Sequence, residues 1–173
     1  YNQPLNTAQI TSSNTTVDVS TVNVLENENR IPINYKLPPG IVREQLNNFN
    51  SVIRQNEQSL SLRVQDLEPK DLKGVYKNID VDMRQYKRIK MFIHAESLPN
   101  RTPLPGDGSL DDLDKSMVAF MRIGTDMTEN YYQIEVPLQP TPYTEGVANN
   151  LSAEEVWQPE SNSIDAPLSL FTG

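Results

Sequence analysis

The chain has 173 residues, enough for one domain with a real core, and it carries no cysteine and a single histidine, His94. That excludes a disulfide framework, a thiolate metal centre and any site needing two imidazoles, which removes most zinc chemistry and multi-histidine catalysis. The formal net charge is −8, with ten Lys or Arg against seven Asp or Glu in residues 54–101 and two against twelve in residues 102–173, a balance that disfavours nucleic acid as a partner.

No stretch reads as the apolar centre of a signal peptide or as a span of roughly 18 apolar residues, so neither a helical membrane crossing nor an export signal is expected in this sequence. The first segment, residues 1–40, is rich in Asn, Thr and Ser. Within it Thr15 to Leu25, "TTVDVSTVNVL", alternates: Val17 and Val19, then Val22 and Val24, line one face on either side of a slip at Ser20-Thr21. The pattern predicts edge strands, or an arm that pairs with something outside the chain. "LPPG", Leu37 to Gly40, enforces an extended turn and marks a boundary.

Residues 41–140 are expected to form the core of the domain. Gln45 to Ser51 is a helical candidate too polar to cover a sheet. In "SLSLRV" Leu60, Leu62 and Val64 share one face and Ser61 and Arg63 the other, the signature of a half-buried strand. "EPKDLKG" suggests one helical turn with Pro69 early and Gly74 past its end, followed by a short strand at Val75 to Lys77. Arg84 to Glu96, "RQYKRIKMFIHAE", predicts a strand of about ten residues. Ile89, Met91, Ile93 and Ala95 fall on its core face, and Arg88, Lys90, Phe92, His94 and Glu96 on a wet outer face. Pro99 to Asp114 is a loop by its prolines, glycines and aspartates. "SMVAFMRIG" and "NYYQIEVPL" then predict a hairpin that pairs Ile123 with Tyr132, Met121 with Ile134, Ala119 with Val136 and Met117 with Leu138, all on one buried face, with Arg122 beside Gln133 outside. Residues 141–173 are rich in proline, and "SAEEVW" carries a capping box, Ser152 with Glu155, that predicts a short helix. The ending "PLSLFTG" reads as the approach to a further strand. Strands, irregular loops and short helical turns, without a long 3.6-period segment, give an all-β fold: an antiparallel β-sandwich.

Four groups of side chains are candidates for chemistry. Arg84, Lys87, Arg88 and Lys90 form a basic cluster, read mainly as a solvated strand face and otherwise as an interface with a neighbouring domain. His94 lacks a paired nucleophile and reads as a hydrogen-bonded structural histidine. Asp107, Asp111, Asp112 and Asp114 offer oxygens to calcium, but without EF-hand spacing, and a solvated loop is the default. Tyr131, Tyr132, Tyr143 and Trp157 could build an aromatic platform for a glycan, although tyrosines on strands more often pack at a sheet edge. No other cofactor is implied.

Four blocks, "NYKLPPGI" (34–41), "RQNEQSLSLRVQDLEPKDLKGVYKN" (54–78), "DMRQYKRIKMFIHAE" (82–96) and "FMRIGTDMTENYYQIEVPL" (120–138), together resemble part of the SprA family, also called Sov. These are very large outer-membrane proteins of gliding motility and type IX secretion in Bacteroidetes. The blocks together cover roughly two fifths of the chain, and none is a catalytic motif. The resemblance implies a fragment that sits outside or beneath the parent barrel, since the sequence lacks the lipid-facing alternation with aromatic girdles that a barrel needs. It implies a non-enzymatic structural or interaction domain on the cell surface or in the periplasm. Its partners would be other domains of the same polypeptide and secretion-system proteins, and it would meet the membrane only through its parent. The strand rhythm is also similar to that of galactose-binding-like jelly-roll domains, which makes a carbohydrate-binding module of a secreted or cell-surface protein the alternative.

Overall fold

The computed structural model describes residues 6–7, 14–43, 45–48, 51–54, 56–68, 70–96, 117–126, 128–143, 148 and 150–171. In chain order these form β1 (Asn6–Thr7), β2 (Thr16–Asn23), α1 (Val24–Asn27), β3 (Gln45–Asn48), β4 (Ser51–Arg54), β5 (Gln58–Gln65), β6 (Val75–Tyr76), β7 (Arg88–Phe92), β8 (Val118–Gly124), β9 (Tyr131–Pro137), α2 (Ala153–Trp157) and β10 (Ser163–Pro167). Short 3-10 turns at Met83–Gln85 and Leu168–Phe171 flank β7 and β10. No helix among the described residues is long and apolar enough to cross a membrane.

The strands pair antiparallel in five two-stranded ladders: β1 with β6, β2 with β5, β3 with β4, β7 with β10 and β8 with β9. The all-β expectation holds, and among the described residues no sheet exceeds two strands. Gln45–Asn48 is a strand and not a helix, because it pairs directly with Ser51–Arg54.

β2 runs against β5 without the expected slip, from Thr16 opposite Gln65 to Asn23 opposite Gln58. The chain turns into α1 at once, where the Asn23 side chain caps the Glu26 amide, so Val24 is helical and does not extend the strand. The predicted helical turn at "EPKDLKG" is a single hydrogen-bonded β-turn instead. Lys70 takes a left-handed φ of 70°, and the Asp71 amide donates to the Glu68 carbonyl at 2.9 Å. The Asp71 carboxylate is also engaged outside that turn, accepting from the Thr15 hydroxyl at the mouth of β2. Gly74 then slides under the Phe120 ring, where an added Cβ would stand 3.1 Å from its edge.

The β8–β9 register is the predicted one, including Arg122 opposite Gln133, and the Leu138 amide extends it by donating to the Met117 carbonyl at 2.9 Å. Tyr132 departs from the expected buried face and stays exposed, its ring edge on Phe171. β7 is shorter than predicted, because Met83–Gln85 closes a 3-10 turn before it and the chain leaves the ladder after Phe92. Its partner β10 lies within the chain, and "LSLF" curls into a 3-10 turn where a further strand was expected to begin.

One apolar cluster holds Ile33, Val156 and Trp157, with Tyr35, Phe92, Tyr143 and Leu151 packed against it. Asn162, wholly buried, fastens the neighbouring segments: its side-chain oxygen accepts from the Gln139 amide at 2.9 Å and its amide group donates to the Gln139 carbonyl at 2.7 Å. Its own carbonyl accepts from the Ile93 amide. One amide side chain thus stands in for a rung of a β ladder.

Candidate functional site

The densest meeting of aromatic and titratable groups surrounds Trp157. α2 presents it because the capping box forms as predicted: Ser152 accepts from the Glu155 amide and the Glu155 carboxylate accepts from the Ser152 amide. The helix ends one turn later at Gln158, whose φ of 42° is left-handed. Val156 and Trp157 therefore face inward together. The indole N–H donates to the Lys36 carbonyl at 2.8 Å, and the ring meets Tyr35 and Phe92 edge-on, with centroids 6.1 and 6.3 Å away. The Tyr35 hydroxyl shares a hydrogen bond of 2.6 Å with Ser59 on β5.

His94 closes the remaining side of the indole, at 5.9 Å between centroids. It and Phe92 pack on Trp157, so the outer face of this segment is covered at Phe92 and His94, contrary to the parity reading. Nor is His94 hydrogen-bonded at its exterior nitrogen: Nε2 is buried without a partner, 3.9 Å from Glu96 Oε2. Glu96 is held instead by Arg30, whose two terminal nitrogens grip both carboxylate oxygens at 2.6 and 2.5 Å. Burial lowers the His94 pKa from its ordinary value, and the opposing pulls of Glu96, which raises it, and Arg30, which lowers it, are smaller. Arg30 sits on a strap, Glu28 to Lys36, tied to α1 by the Arg30 and Tyr35 amides, both donating to the Asn27 carbonyl.

The basic residues of β7 are neutralised across the ladder. Asp165 stands opposite Lys90; its carboxylate accepts from Arg88 Nε at 2.7 Å and lies 3.3 Å from Lys90 Nζ. The Arg88 hydrogen bond is the chief reason that the Asp165 carboxyl is held below its ordinary range. All three are exposed, so the triad orders the ladder surface more than it stabilises the fold.

The largest departure from the sequence reading is on β5. Ladder partners share a face, so Val17, Val19, Leu60, Leu62 and Val64 make one continuous apolar surface. That surface points away from the Trp157 cluster: Ser59, of the opposite parity, meets Tyr35, while Leu60 and Leu62 are left 51% and 45% exposed. The apolar parity is as predicted, but the leucines are on the outside.

A family model described as a motility related/secretion protein, SprA_N, matches residues 1–173. The chain belongs to the SprA_N family. No curated protein matches it.

The proposed ligand residues of this SprA_N chain do not converge. Trp157 is 5% exposed and is a core anchor, so its indole offers no face to a glycan. The Tyr131 ring is covered by the Arg122 guanidinium at 4.2 Å, which leaves no tyrosine–tryptophan platform. Arg88 and Lys90 are bound to Asp165. Asp107, Asp111, Asp112 and Asp114 lie outside the described residues, and among the described residues no group of three or more His, Asp or Glu is placed to hold a metal. Sequence reasoning missed three polar devices: the Arg30–Glu96 pair, the Asn162 clamp and the Asp126 turn. Asp126 accepts from the Glu129 amide, from the Asn130 side chain and amide and from the Thr128 amide, and these bonds hold its carboxyl far below the usual carboxylate range. Only the last had a local signal, an Asp ahead of Thr and Asn in a loop of hairpin length.

Proposed function

We propose that the chain is a non-enzymatic structural and docking module of a gliding-motility and type IX secretion protein, working on the cell surface or in the periplasm as part of an outer-membrane parent. Membership of the SprA_N family supports the motility and secretion setting. The observation that carries the docking role is the outward leucine face of the β2–β5 ladder. A two-stranded ribbon is marginal by itself, and a contiguous exposed apolar face marks a contact. Among the described residues thirteen large apolar side chains are exposed against seven buried ones, so the chain's own core leaves much apolar surface for others to cover. The occupant on this reading is another domain of the same large polypeptide. The finer architecture attached to it is a β-sandwich with jelly-roll connections, completed by strands that add to the open ladder edges; the strand rhythm of the sequence is its support.

The test is a photo-crosslinking side chain at Leu62 in the full-length parent, with Asp18 on the opposite face as control. The expected products join Leu62 to parts of the parent outside this chain, with few from Asp18. Products confined to this chain, equal yields from Asp18, or capture of a separate protein alone would each overturn the assignment.

A further inference from the structure

We propose that His94 is a proton-operated latch, which on protonation takes Glu96 from Arg30 and loosens the Glu28 to Lys36 strap from the Trp157 core. The geometry lies in one shared oxygen. Glu96 Oε2 accepts from Arg30 Nη2 and is also the atom nearest His94 Nε2, at 3.9 Å, within reach of a small rotation. Among the described residues Nε2 has no other partner, so a proton placed there has this carboxylate to turn to.

Two cations would then compete for one carboxylate, and exposure decides between them. The His94 side chain is 19% exposed and wedged on Trp157, whereas Arg30 is 36% exposed and can swing its guanidinium into water. Arg30 is therefore the one displaced. The groups acting on His94 are Glu96 from its own segment and Arg30 from the strap; α2 faces it with the indole of Trp157, which does not titrate. Because burial lowers the imidazole pKa, the latch operates below the pH at which an ordinary histidine takes up its proton. Its consequence is felt where the strap carries Ile33 and Tyr35 into the core and, through Tyr35 and Ser59, touches the inner face of the β2–β5 ladder.

The test follows the His94 ring, the Arg30 side chain and the Arg30 and Tyr35 amides by NMR through a pH titration of the whole chain. The expected result is a single midpoint below 6.5 for His94 and Arg30, with protection of the two amides falling about fivefold or more once intrinsic exchange is corrected. His94→Gln should abolish the transition. Glu96→Gln should leave Arg30 loosened at every pH. Titration of His94 without any change at Arg30, the same acid-induced loss in His94→Gln, or a surviving transition in Glu96→Gln would each overturn the latch.

Discussion

At the residue scale, Trp157 is the chain's one indole, and its burial makes it both the largest packing contribution in the core and an optical probe of it. Trp157→Ala should cost about 3–5 kcal/mol in denaturant unfolding, and Trp157→Phe less, because the ring that Tyr35, Phe92 and His94 pack on is partly replaced. Asn162→Ala removes both side-chain bonds to the Gln139 backbone, leaving its amide unmatched and its carbonyl with only the bond from Gln158 Nε2, and should cost about 1–3 kcal/mol, whereas an asparagine without such bonds would cost almost nothing. His94 has a pH signature in stability as well. Its folded pKa lies below the ordinary 6.5, so the unfolded chain takes up the proton first. The stability tied to neutral His94 is complete above the unfolded value and is lost as pH falls toward the folded one. Urea midpoints should therefore drop with acid across that window in the native chain and drop less in His94→Gln. Neither Asn162 nor the Arg30–Glu96 pair could be read in advance, since both join groups far apart in the chain and no periodicity encodes them.

At the element scale, the β8–β9 hairpin was the most legible part of the fold. Two alternating runs of similar length, with charged residues on one parity, leave a single register that keeps Gln133 and Glu135 away from the apolar side chains. The hairpin has one steric requirement that periodicity did not reveal. A Cβ at Gly124 would lie 2.1 Å from the Asn130 carbonyl oxygen and 2.5 Å from Tyr131 Cα. Gly124→Ala should therefore break the last rung, and hydrogen exchange at the Thr125 amide, which donates to the Asn130 carbonyl, should rise sharply while β7 and β10 stay protected. α2 was equally legible, because its cap is a local reciprocal bond. β7 was only partly so: Arg88 to Met91 obey the expected parity, but Phe92 and His94 are covered by a helix sixty residues downstream, and no local pattern records that second layer.

At the scale of the whole molecule, the β2–β5 ladder shows why a correct period can yield the wrong inside. Alternation states which side chains share a face, and only the rest of the protein states which face is covered. The sequence reading placed Leu60 and Leu62 toward a core on the assumption that apolar surface is buried by the chain that carries it. Here the serine face meets Tyr35, and Leu60 and Leu62 belong to no core formed by the described residues. In the isolated chain, replacing Leu60 and Leu62 by threonine should lower the unfolding free energy by no more than about 1 kcal/mol, against about 2–5 kcal/mol for leucines in a core. A core-sized loss would show that the leucines are buried after all.

The distant origin of the strands that meet has a consequence in time. The Trp157 indole binds the Lys36 carbonyl across 121 residues of sequence, and Arg88 meets Asp165 across 77. A chain emerging from its N-terminus can close the β8–β9 hairpin as soon as Pro137 is out, but Ile33 and Tyr35 must wait until α2 appears before Val156 and Trp157 complete the cluster over them. Such late, long-range closure slows folding. The emerging chain would hold the β2–β5 ladder closed while the apolar side chains of the strap still lacked their indole cover, until residue 157 had been delivered.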